Sequence, residues 1–124
     1  HIFEPHEMLP AAGQGALGIE VRSTRPEVSA ALAPLAHRAT WLAVAAERAV
    51  SRAMGGSCSM PLAAFATWQS AEVLRLEAAW GDPEGRVPVV RVHAETAVTS
   101  LEAAVALGEQ VAALLRQAGA VGAA

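Results

Sequence analysis

The sequence predicts an α+β fold, a small open-faced three-stranded antiparallel sheet with helices packed on one face. Two observations carry that prediction. Alanine-rich stretches at 39–53 and 101–117 place apolar residues at helical spacing. Between them, three β-type runs follow one another across polar turns, with no helix intervening. The simplest packing of helix, loop, three strands and helix lays both helices on one side of the sheet.

Composition agrees with a single globular unit. The 124 residues are 53% hydrophobic and 17% charged, enough for a core and against disorder. Alanine inflates the apolar share, so close helix packing with few large side chains is expected. A net charge of −3 without any Lys/Arg-rich run excludes a nucleic-acid footprint. Uncharged stretches carry Gly, Ser and Pro and fall short of membrane-spanning length, so no membrane partner is expected. One cysteine excludes an internal disulfide and suits a reducing, cytoplasmic setting. No metal site is expected. The start, His1-Ile2-Phe3-Glu4-Pro5, is neither a leader nor an initiator methionine, so a fragment or processed piece is expected.

Residues 1–13 read as irregular, punctuated by Pro5 and Pro10. Gly13-Gln14-Gly15-Ala16-Leu17-Gly18 has the spacing of a dinucleotide-binding fingerprint, which needs a strand before it and a helix opening on it. Here prolines precede it, and 17–22 alternate with period two, a strand signal; the nucleotide reading fails. A helix start follows, with Ser23 and Thr24 as capping candidates, Pro26 in the first turn and Glu27 near the positive end. Val28, Leu32 and Leu35 form a short stripe, broken by Pro34 and the polar 36–38. The second helix, 39–53, carries Leu42, Ala45, Ala46, Ala49 and Val50 on its buried face, while Glu47 and Arg48 read as a solvated one. Gly55 and Gly56 end it.

Strands are expected over 62–69, 72–80 and 86–94, the last pair joined by a turn at 81–85. Pro88 places the third strand at an edge, or marks its start or a bulge. The final helix opens on a capping box with Thr99 as N-cap. Its stripe is Leu101, Ala104, Val105, Gly108, Val111, Ala112 and Leu115, and Gly119 caps its C-terminus.

The stretch Gly55-Gly56-Ser57-Cys58-Ser59-Met60-Pro61 joins helix to sheet and holds the lone cysteine. Two glycines and a proline make an abrupt turn on which a thiol can stand proud. Against that, a free cysteine usually packs as a small hydrophobe. Local chemistry leaves both readings open.

Three motifs, taken together, resemble the porphobilinogen deaminase (hydroxymethylbilane synthase) family. They are Pro10-Ala11-Ala12-Gly13-Gln14-Gly15-Ala16-Leu17-Gly18-Ile19-Glu20-Val21-Arg22, then Ala46-Glu47-Arg48-Ala49, then Gly56-Ser57-Cys58-Ser59-Met60-Pro61, in the family's order and spacing. Ser57 stands where the family usually has a second glycine. The resemblance implies a transferase that joins four porphobilinogen units head to tail, each losing ammonia, and releases a linear tetrapyrrole for haem biosynthesis. Cys58 inherits the role of holding a dipyrromethane cofactor by a thioether, with Gly56 and Ser57 shaping the loop. A helix C-terminus before Cys58 does not favour a thiolate, which suits a tether formed once. Gln14 lies where the family's hinge nears the cofactor; it either hydrogen-bonds a pyrrole substituent or satisfies backbone in a tight turn. Arg48 supports a domain interface.

By the same resemblance, 1–13 end the second domain or its hinge, 14–36 return to the first, and 37–124 are the cofactor-bearing C-terminal domain. The catalytic aspartate and the substrate-binding arginines belong to absent domains, so no catalytic residue is expected here and the fragment alone is expected to be inactive. Its partners are porphobilinogen, the growing polypyrrole and the enzyme's remaining domains, with self-association through apolar surface around Leu9, Leu17 and Ile19. The competing reading is a stand-alone α+β binding or regulatory module that pairs through its sheet.

Overall fold

The computed structural model describes residues 1–57 and 59–120. Helix α1 (Pro26–Leu32) runs into a short 3-10 turn, Ala33–Leu35, and is followed by α2 (Arg38–Ala53). Strands β1 (Leu62–Trp68), β2 (Val73–Trp80) and β3 (Val90–Ala97) precede the last helix, α3 (Leu101–Gln117). The sheet order is β1-β2-β3, antiparallel throughout, with Phe65 opposite Glu77 and Glu77 opposite His93. The expected α+β architecture is what forms.

Strand periodicity splits the sheet into two chemistries. Ala64, Ala66, Leu74, Leu76 and Ala78 point inward and are buried, with Val92 and Ala94 packed beside them. Thr67, Arg75, Glu77, Arg91 and His93 occupy the other face. There Glu77 accepts from Arg75 Nε at 3.1 Å and lies 3.8 Å from Arg91. Both α2 and α3 cover the apolar face, whereas α1 buries no residue.

The two packed helices run in the same direction. At their N-terminal ends Arg38 Nη2 donates to the Thr99 carbonyl at 2.6 Å, and at their C-terminal ends Arg116 donates to the Ala53 carbonyl. Between these ties the helices touch at backbone distance. A Cβ built on Gly108 would lie 2.4 Å from Ala49 Cβ and 2.5 Å from the Ala46 carbonyl oxygen. That approach is the close alanine packing expected from composition, and only glycine fits it.

Several elements differ from expectation. The third strand starts at Val90, not at 86, and sits at the sheet edge. Pro88 has no N–H for a ladder, and the preceding loop is organised instead by the Asp82 carboxylate, which accepts from the amides of Glu84, Arg86 and Val87 at 2.9, 2.8 and 3.3 Å. The cap of α3 is Ser100, not Thr99. Ser100 has the extended backbone of an N-cap and its Oγ accepts from Ala103 N–H, while the Thr99 carbonyl is held by Arg38. On α3, Leu107 is buried and Leu101 is exposed. Neither Ser23 nor Thr24 caps α1; Arg25 occupies that place without a side-chain bond, and Pro26 presets the first turn. Residues 17–22 form no strand among the described residues, since a period-two pattern needs a neighbouring edge to pair with.

Candidate functional site

Helix α2 leads directly to the cysteine loop, and its end is built to turn the chain. Gly56 N–H donates to the Ser51 carbonyl at 2.8 Å and Gly55 N–H to Arg52 at 3.3 Å, a paired closure that needs left-handed backbone after the helix. Gly55 and Gly56 provide it, at φ 122° and 71°. A short turn follows, in which Ser57 Oγ accepts from Ser59 N–H at 3.1 Å and lies 2.7 Å from Ser59 Oγ. Beyond it, the Pro61 carbonyl accepts from Gly81 N–H at 2.8 Å, tying the loop's exit to the sheet. Gly56, Ser57 and Ser59 are exposed, while Met60 packs against the core. Cys58 itself lies outside the described residues.

The second feature is the glycine segment at 13–15. Gly13 and Gly15 both have positive φ, 72° and 81°. Between them Gln14 is exposed, and its Oε1 accepts from Ala11 N–H at 3.0 Å. The stretch before it runs along the outer edge of β1, where the Pro10 carbonyl accepts from Ala64 N–H at 3.1 Å.

Glu47 joins these parts, and here the sequence reading is overturned. Its side chain is not solvated: the residue is 6% exposed. Oε1 accepts from Gly13 N–H and Oε2 from Ala66 N–H, both at 2.7 Å. Burial pushes the carboxyl above the usual carboxylate range, and the two backbone donors oppose that rise. Removing the carboxylate would strand two backbone N–H groups, at about 1–3 kcal/mol each. A sequence signal existed. Glu47 lies four residues after Ala43 and three before Val50, on the flank of the apolar stripe, where a charge needs fixed partners.

Arg48, next in the chain, is exposed and makes no ion pair among the described residues. With Arg52, Trp41, Val44, Leu17 and Ile19 it lines an open groove of about 1110 Å³ between 12–21, α1 and α2 that reaches Gly56. Structure thus brings the helix, the loop entrance and the glycine segment together around α2. Among the described residues no cluster of His, Cys, Asp or Glu could hold a metal ion, and no helix is long and apolar enough to cross a membrane.

Comparison with known proteins bears on this arrangement. Residues 41–117 match the family model described as porphobilinogen deaminase, C-terminal domain. A porphobilinogen deaminase of Albidiferax ferrireducens is 68% identical over 94% of this chain and 36% of its own length. Those of Ralstonia nicotianae and Paraburkholderia phytofirmans are 53% and 51% identical, over 96% and 97% of this chain and 35% and 34% of theirs. The chain therefore spans about a third of the length of the curated relatives it matches, 34–36%.

Proposed function

Because the chain belongs to the porphobilinogen deaminase family, we propose that it is the C-terminal, cofactor-bearing part of an enzyme that condenses four porphobilinogen units head to tail. Ammonia leaves at each step, and a linear tetrapyrrole is released by hydrolysis. The observation that carries this reading is the family match over 41–117, which takes in most of α2, the cysteine loop, the sheet and α3 as one unit.

In this reading Cys58 holds a dipyrromethane primer through a thioether. The loop fits such a group. Gly56, Ser57 and Ser59 stand in solvent, and a Cβ at Gly56 would meet nothing within 4 Å, so the described residues flanking Cys58 are uncovered. When bound, the primer supplies the pyrrole carbon to which the first substrate unit is joined. The protein's part is positional. Gly55 and Gly56 turn the chain off α2, and the Ser57–Ser59 contact holds the turn. Gln14 presents an amide from the glycine segment, its oxygen already engaged by Ala11, and Arg48 lines the groove, where in this reading it supports a domain interface.

The domain division proposed is 1–13 as the end of the second domain or its hinge, 14–36 as a segment returning to the first, and 37–124 as the C-terminal domain. The catalytic aspartate and the arginines for the substrate's carboxylates then come from the first two domains, in a cytoplasmic enzyme of tetrapyrrole biosynthesis. Intact-mass measurement of the full-length protein from producing cells should show a dipyrromethane adduct that disappears in Cys58→Ala. An unmodified mass with full activity would sink the proposal. The isolated chain should release no ammonia from porphobilinogen above background.

A further inference from the structure

We propose that Glu47 is a positioning residue: it pins residues 10–13 to the α+β body and so fixes the point, just past the Gly13–Ala16 turn, from which the following segment departs. This rests on the porphobilinogen deaminase reading for its kinetic consequence, though not for its geometry. Both carboxylate oxygens are committed, one to Gly13 in the linking segment and one to Ala66 in β1, residues far apart in sequence. The Pro10 carbonyl makes a second tie to β1 through Ala64, and Ala12 packs against the core. Residues 10–13 therefore move with the sheet.

The restraint extends through one further turn, in which Ala16 N–H donates to the Gly13 carbonyl at 3.1 Å, and ends beyond it. Gly15 has φ 81° with nothing within 4 Å of a Cβ position, and Leu17 beyond it is 96% exposed. A chain held at Gly13 and closed by that turn leaves the body only after Ala16, at a point set by Glu47. Because Glu47 projects from α2, the same helix that delivers the cysteine loop, its bonds fix where the loop stands relative to whatever 16–22 attach to. A shift of about 1 Å in such placement can cost ~100-fold in rate.

The test uses the full-length enzyme with Glu47→Met, Glu47→Gln and Gly15→Ala. Methionine fills the space but accepts no hydrogen bond and strands both backbone N–H groups, so wild-type exchange at Leu76 serves as the check that the variant is folded. Glutamine keeps one acceptor. Amide exchange at Gly13 and Ala66 should accelerate at least ~10-fold in Glu47→Met, and less in Glu47→Gln, with Leu76 unchanged. With porphobilinogen, Glu47→Met should lose ~10-fold or more in kcat/KM with KM raised, and Glu47→Gln should recover part of it. Gly15→Ala should change KM or kcat while leaving Gly13 and Ala66 protected. If Glu47→Met keeps wild-type exchange at Gly13, or lowers only the amount of active enzyme at unchanged KM, the positioning role is wrong. Unaltered kinetics in Gly15→Ala would remove the turn from this role. A wild-type enzyme inert to porphobilinogen would overturn the functional reading instead, and the exchange data would still decide the pin.

Discussion

Replacing Gly108 with alanine tests the packing on which the domain depends. The added Cβ would lie 2.4 Å from Ala49 Cβ and 2.5 Å from the Ala46 carbonyl oxygen, with Val50 N at 3.2 Å. Carbon atoms pack comfortably at about 3.5–4.0 Å, so α3 must retreat from α2 by roughly 1 Å along its middle turns. Retreat is resisted at both ends by the Arg38–Thr99 and Arg116–Ala53 bonds. Overpacking of this kind costs about 1–3 kcal/mol. Alanine's better helix propensity returns about 1 kcal/mol, leaving a net loss of about 0–2 kcal/mol and a parallel fall in the denaturation midpoint. Urea unfolding of the full-length protein, followed by a probe on this domain, measures it. Ala49→Gly in the Gly108→Ala background should recover only part of the loss, because the Ala46 carbonyl remains in the way. A Gly108→Ala protein stabler than wild type, by the gain in helix propensity alone, would refute the close-contact argument.

Other outcomes follow from single contacts. Ser100→Ala should destabilise the protein by about 1 kcal/mol by removing the α3 cap, while Thr99→Ala should cost less, a contrast readable from thermal midpoints. Asp82 is held below the usual carboxylate range by the amides of Glu84 and Arg86, then Val87. Its contribution to loop order is thus present above the ordinary Asp pKa and lost as pH falls through the depressed value. Exchange at those amides should rise across that acidic window, and Asp82→Asn should blunt the change. The isolated chain should self-associate through Leu17 and Ile19, and Leu17→Asp with Ile19→Asp should restore a monomer in sedimentation; a wild-type monomer at high concentration contradicts this.

Much of the fold was legible because periodicity is a local property. The stripe of α2, the alternation of β2 and the closure at Gly55 and Gly56 all follow from spacing and glycine chemistry. What escaped depends on partners distant in sequence. The place of Glu47 on the flank of the α2 stripe hinted at burial, but nothing local names Gly13 and Ala66 as the groups that meet its two oxygens. Thr99 and Ser100 are both plausible caps, and the choice is made by Arg38, which takes the Thr99 carbonyl from another helix. Arg86 and Val87 read as strand, but their amides are claimed by Asp82 before a ladder can start.

The stretch 17–22 shows the same lesson from the other side. Its alternation is sound strand chemistry, yet Leu17 is 96% and Ile19 61% exposed, without a ladder among the described residues. Neither sheet edge takes it up. The outer edge of β1 is already closed, because Pro10 engages Ala64 and Glu47 engages Ala66. Left-handed backbone at Gly15 starts the segment on a course of its own. A return of 14–36 to a neighbouring domain, as proposed above, would supply the missing edge. Glu47 would then have a double effect: by satisfying β1 it denies the segment a wrong partner, and by holding Gly13 it sets the point from which the right one must be reached.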